Sequence, residues 1–189
     1  MFMHTRQRLL ILLLVFLSEI SFGQSVYVTR SGQVSFFSKT PVEDIKATNK
    51  KVYSTINTET GALQFLLKIM DFEFKYSAMQ DHFNDEDYMH SAKYPNALFK
   101  GVLLNKDSVD FNKPGTYSSL VDGELTMHGV TNKVKTRATL VVGNGQITGT
   151  AVFNVKLVDY QIKVPQIVFK KIAEVIEVRV NCNYQPFKN

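Results

Sequence analysis

Three histidines beyond the N-terminal leader, His82, His90 and His128, are the side chains whose chemistry is easiest to name. With Asp81, Asp85, Glu86 and Asp87 they supply imidazole and carboxylate, donors that suit zinc and related divalent ions. Their spacing does not build such a site. His82 and His90 stand eight residues apart, which matches neither the i, i+4 pairing of a helix nor the i, i+2 pairing of a strand. His128 falls on the polar side of its strand and is expected to hydrogen-bond the backbone of the turn from Gly129 to Asn132. The metal reading is secondary, and no metal ligand or cofactor is assigned. No serine stands in a Gly-x-Ser-x-Gly turn, and the carboxylates from Asp85 to Asp87 read as a solvated helix face. Cys182, the only cysteine, forms no internal disulfide. It shares a strand face with Val180 and Tyr184, with no nearby cation to lower its pKa, so it is expected to be a small buried apolar residue. The chain is not expected to be an enzyme.

The elements that position these residues begin after a leader. Arg6 and Arg8 precede an apolar run from Leu9 to Leu17, and Ser21-Phe22-Gly23 offers small residues at a cleavage site. Residues 1–23 are read as a cleaved signal peptide and 24–189 as one domain, exported to the periplasm or secreted. The run is shorter than the roughly 20 residues a membrane span needs, and no cysteine follows it to take a lipid, so no stable membrane anchor is expected. Residues 1–23 carry two arginines and one glutamate, so their removal leaves +4 of the chain's net charge of +5. Lys68, Lys100, Lys133, Lys135, Arg137 and Arg179 are scattered on outward strand positions without interleaved aromatic residues, which argues against nucleic acid as a partner.

Alternation with period two recurs almost from end to end, with turn signals between the runs. In "KVKTRATL" the inward set is Val134, Thr136, Ala138 and Leu140. Elsewhere it is Val34 and Phe36; Val52, Ser54 and Ile56; Leu63, Phe65, Leu67 and Ile69; Phe99, Gly101 and Leu103; Tyr117, Ser119, Val121, Leu125 and Met127; Ile147, Gly149, Ala151, Phe153 and Val155; and Ile176, Val178, Val180, Cys182 and Tyr184. Seven or eight strands follow, with one or two helical turns around 76–90 and another near "LVDYQIKVP". The fold class is all-β: one antiparallel, lipocalin-like barrel of about eight strands with one or two short helices, because closure removes the exposed edges. At that size the interior is either filled by side chains or left with room for one ligand. The small inward residues Ser54, Gly101, Ser119, Thr136, Ala138, Gly149 and Ala151 would leave voids. Alternatively, large neighbours such as Phe65, Phe99 and Phe153 lean across and close them. The pattern alone leaves both open.

"GELTMHGVTNKVKTRATL" resembles a segment of the YceI-like family of exported bacterial proteins. "MQDHFNDEDYMHSAKYPNALFKG" upstream and "FNVKLVDYQIKVP" downstream are similar to two further family segments in the same order, so the resemblance covers about Gln33 to Tyr184. It implies an extended lipocalin-like barrel that binds a long apolar molecule such as a polyisoprenoid, an isoprenoid quinone or a similar lipid, for transport, storage or sequestration. "SKTPVEDIKATNKKVYSTINTETG" departs from the commoner pattern and points to a different barrel mouth. Phe36, Phe65, Leu67, Ile69, Phe99, Leu103, Tyr117, Met127, Ala138, Leu140, Phe153 and Val178 are the expected apolar lining. A barrel open at one end exposes apolar rim that a homodimer would shield. The competing reading is a solid barrel without lipid whose loop from Asp81 to Tyr94 docks on another protein, with a metal role for the loop His and Asp residues as a lesser variant.

Overall fold

A computed structural model describes residues 25–163 and 172–187; the leader expected over residues 1–23 lies outside them. Among the described residues there are nine strands: β1 (Val26–Lys39), β2 (Asp44–Asn57), β3 (Ala62–Lys68), β4 (Glu73–Phe74), β5 (Asn96–Leu103), β6 (Gly115–Met127), β7 (Val130–Gly143), β8 (Gln146–Lys156) and β9 (Val175–Pro186). One α-helix, α1 (Ser77–Asn84), follows β4, and short 3₁₀ turns occupy Ile69–Asp71, Lys106–Ser108 and Leu157–Tyr160. Eight long strands run as an antiparallel meander, and β1 pairs with both β2 and β9, which closes the barrel. The two-residue β4 pairs on β2 through Ala47 with Phe74 and Thr48 with Glu73. The upper end of the barrel carries α1 and the β1–β2 and β6–β7 turns, and the lower end carries the β2–β3 and β7–β8 turns.

Why these residues form these strands is clearest in the β6–β7 hairpin. Thirteen consecutive pairs run from Gly115 with Val142 to Met127 with Val130, so a turn of only two residues joins the strands. Those two, His128 and Gly129, have φ of 51° and 76°, as does the equivalent pair Asn144 and Gly145 between β7 and β8, at 52° and 69°. Two-residue turns with positive φ match the right-handed twist of the flanking strands, which is why a glycine takes the second position in both. In β7, Lys133, Lys135, Arg137 and Thr139 are exposed, while Ala138, Leu140 and Val142 are buried. Charge outside and apolar groups inside is the reverse of the pattern in a membrane-spanning barrel.

The alternation breaks in β1, where Arg30 and Ser31 are both exposed, and again in β2. Asn49 is fully buried, Lys50 and Lys51 are both exposed, and Val52 is fully buried again. The Asn49 amide donates to the Lys68 carbonyl at 2.9 Å, and its Oδ1 accepts the Lys51 N–H at 2.8 Å, so the extra residue is held in place as a bulge. The stretch from Ser38 to Gly61 singled out in the sequence forms the β1–β2 turn over 40–43, the whole of β2 and the β2–β3 turn.

Candidate functional site

The interior is not solid. A cavity of about 510 Å³ runs along the barrel axis. At roughly 24 cal/mol per Å³, such a hole left as a packing defect would cost on the order of 10 kcal/mol, as much as a whole domain's stability. It is built from small side chains at particular places. Ala138 on β7 pairs with Ser119 on β6 and Ala151 on β8, so three adjoining strands present small groups to the interior. Above them Thr136 and Val134 continue the wall.

Not every small residue leaves room. Gly101 and Gly123 pair across β5 and β6, and a Cβ added to either would lie 2.6 Å from the Phe99 Cζ. The Phe99 ring lies on this glycine pair, so here the neighbour leans across and the space is filled. The void and filled readings thus hold at different levels of one barrel.

Of the expected lining residues, Phe36, Phe65, Leu67, Ile69, Phe99, Leu103, Met127, Ala138, Leu140, Phe153 and Val178 face the cavity. Tyr117 does not. Its ring folds back over Gly115, 3.2 Å from its hydroxyl to where a Gly115 Cβ would stand, and the hydroxyl donates to the Lys113 carbonyl at 2.9 Å. Facing inward from the strand was not enough, because the side-chain rotamer lays the ring back over Gly115 towards the lower end of the barrel.

The ends of the cavity differ. At the upper end Phe36, Phe72, Phe74 and Phe83 form one cluster, with Phe83 of α1 at 5.5 Å, 5.7 Å and 5.0 Å from the other three ring centroids. Each such pair is worth about 0.5–1.5 kcal/mol beyond its area. No residue of α1 is buried, so the helix rests on the barrel through this cluster. Met79, His82 and Tyr88 reach the cavity from α1 and the loop after it, and Glu43 reaches it from the β1–β2 turn. Glu43 is the only carboxylate and His82 the only imidazole among the described lining residues, which include no lysine or arginine, and both belong to this end. Burial, followed by the charges of Asp87 and Asp85, raises the Tyr88 pKa above the ordinary phenol value, so Tyr88 is a neutral donor there.

At the lower end Tyr184 crosses the interior. It is 2% exposed, and its hydroxyl lies 2.8 Å from the Ser54 Oγ. The single Ser54 hydroxyl proton goes to the Gln64 carbonyl at 2.8 Å, so Tyr184 donates to Ser54. Burial holds the Tyr184 phenol well above its usual pKa. Cys182 beside it is 1% exposed, and burial pushes its thiol up to about 11, which leaves it without thiolate at neutral pH.

The histidines are spread along the upper end. His82 is mostly exposed and pairs with Asp85 at 3.5 Å. His90 and His128 flank the Tyr94 ring at 5.9 Å and 4.7 Å between centroids. His128 does not bond the turn's backbone as expected. Its Nδ1 lies 3.0 Å from the Tyr160 carbonyl, because positive φ at His128 swings the ring over the 3₁₀ turn after β8. Among the described residues, no group of three or more His, Cys, Asp or Glu side chains is placed to hold a metal ion. No helix among them is long and apolar enough to cross a membrane.

Sequence reasoning missed the residues that close the two ends. Phe72, Phe74, Met79, Phe83, Tyr88 and Met89 line the upper end from a segment with little alternation, though its density of Phe and Met was a usable signal. Alternation turns Tyr184 inward but says nothing of how far its ring reaches, here as far as Ser54 on β2.

A family model described as the YceI-like domain matches residues 18–184. Protein YceI of Escherichia coli O17:K52:H18 is 28% identical over 138 residues, which is 70% of this chain and 59% of that relative. The chain thus spans less than two thirds of the length of the curated relatives it matches. Among solved structures, a polyisoprenoid binding domain from Saccharophagus degradans implicated in plant cell wall breakdown superposes with a TM-score of 0.74 at 13% identity, covering 87% of this chain and 99% of that one. BcnA of Burkholderia cenocepacia gives 0.67 at 16% identity, over 81% of this chain and 95% of that one. At these identities the likeness is one of fold.

Proposed function

This chain belongs to the YceI-like family, and we propose that it holds one long apolar molecule, a polyisoprenoid, an isoprenoid quinone or a similar lipid, inside its barrel for transport, storage or sequestration. The observation that carries this reading is the cavity itself, about 510 Å³ and apolar along its length, with Glu43 and His82 at the upper end the only acidic or basic side chains among its described lining residues. A polyisoprene chain offers almost no hydrogen bonds, so apolar walls are the whole of its recognition. At roughly 25 cal/mol per Å² withdrawn from water, several isoprene units supply ample affinity. The polar groups at the upper end orient the guest, tail down towards Tyr184 and any polar group towards Glu43, His82 and Tyr88. The name of the Saccharophagus degradans domain supports the same ligand class.

Binding rather than catalysis is part of this reading, since the Cys182 thiol is held protonated and the histidines are dispersed. So is export, with residues 1–23 removed and 24–189 periplasmic or secreted, supported by Arg6 and Arg8 ahead of the apolar run. Val42, Met70, Tyr76 and Val158 are each more than half exposed, and all belong to the upper end. A homodimer would shield that surface. The test of the binding reading is gel filtration of delipidated protein with a tritiated polyprenol. Co-elution near one equivalent supports it, and elution of all label away from protein overturns it.

A further inference from the structure

We infer that Tyr184 is the floor of a length gauge and that the chain selects isoprenoid tails of about five units. This inference rests on the binding reading above and adds to it which tails fit. The cavity wall on β9 runs from Ile176 to Tyr184. Eight residues at about 3.3 Å of rise, tilted roughly 40° to the barrel axis, make a shaft of about 20 Å. An extended isoprene unit, four carbon–carbon bonds of about 1.5 Å in zigzag, advances about 4.5 Å, so the shaft takes four to five units.

The shaft ends on a fixed group. The Tyr184 ring leans across Gly149, its Cε2 3.3 Å from where a Gly149 Cβ would stand, and its hydroxyl is bonded to Ser54 at 2.8 Å. That bond ties β9 to β2 across the intervening β1, so the phenol is held at both ends over the inner face of the barrel. At its level and below, the barrel is full: Ile147, which pairs with Tyr184, is 0% exposed, Val142 beside it is 7% and Val109 of the β5–β6 loop is 5% exposed, and none of the three lines the cavity. A tail that reaches the ring stops there, and any further units must emerge at the upper end into water.

The experiment offers the mature protein a detergent dispersion holding equal amounts of isoprenols from about three to about eight units, and measures the bound lipids by mass spectrometry. Occupancy peaks near about five units and is roughly tenfold or more lower at about eight, because each emergent unit leaves an apolar micelle for water. Tyr184→Ala deepens the shaft and moves the peak up by about one unit, and Ala151→Leu, one step above Gly149 on β8, moves it down. Tyr184→Phe leaves it in place. If the wild-type profile is flat or still rising at the longest tail, or if both shifted variants keep the wild-type peak, the gauge is overturned while binding stands. If no isoprenol of any length is retained, the binding reading fails and the gauge with it. Should Tyr184→Ala not fold, Ala151→Leu alone decides between a moved and an unmoved peak.

Discussion

Ala138→Phe tests in one substitution whether the middle of the barrel is hollow. Ala138 is 7% exposed, faces the cavity, and has Ser119 and Ala151 as its cross-strand neighbours. A phenyl group there enters space that a ligand would use and displaces roughly one isoprene unit, about 80–100 Å² of apolar contact. At ~25 cal/mol per Å² that is about 2 kcal/mol, or roughly thirtyfold in Kd for a polyprenol. The same group fills part of an empty hole, so delipidated protein is expected to be unchanged or stabilised by up to about 2 kcal/mol. In a packed core the sign reverses, because overpacking costs about 1–3 kcal/mol. Urea unfolding of the delipidated variant and a polyprenol titration measure the two effects separately. Lost stability together with unchanged affinity would refute the reasoning, since it would mean that Ala138 faces packed side chains and not ligand space.

Four other outcomes follow from particular contacts. Gly101→Ala puts a Cβ 2.6 Å from the Phe99 ring and 2.8 Å from the Asp122 carbonyl oxygen, and is expected to cost about 1–3 kcal/mol in urea unfolding; a neutral result would show that the ring is free to move. Tyr184→Phe removes the buried bond to Ser54, with an expected loss of about 1 kcal/mol. Cys182, whose folded pKa of about 11 exceeds its ordinary 9.0, binds its proton more tightly folded than unfolded. It therefore makes stability fall as pH rises from about 9 to about 11, by about 2–3 kcal/mol in all, and Cys182→Ser should flatten that slope. Phe83→Ala removes the ring at the centre of the upper cluster. It is expected to quicken polyprenol release in stopped-flow exchange, and an unchanged rate would mean that α1 does not gate the upper end.

What the sequence made legible was direction. The run from Lys133 to Leu140 alternates so regularly that the outward lysines and the inward Ala138 and Leu140 could be assigned without coordinates. What it did not make legible was reach. Phe99 and Tyr117 were both read as inward, yet one ring lies over a glycine pair and the other folds down over Gly115. Rotamers chosen by distant neighbours decide such outcomes, and strand alternation carries no information about them. The β2 bulge was hidden for a related reason: Asn49 is bonded to the Lys68 carbonyl, 19 residues away in the chain. The upper aromatic cluster depends on the segment after β3 folding back over the barrel, which no local pattern in 69–95 declares.

The most direct test is mass spectrometry of an apolar solvent extract from protein purified without detergent. A single isoprenoid or similar lipid near one equivalent per chain is the expected result. An extract empty of lipid, from protein that also fails to take up an added polyprenol, would contradict the account.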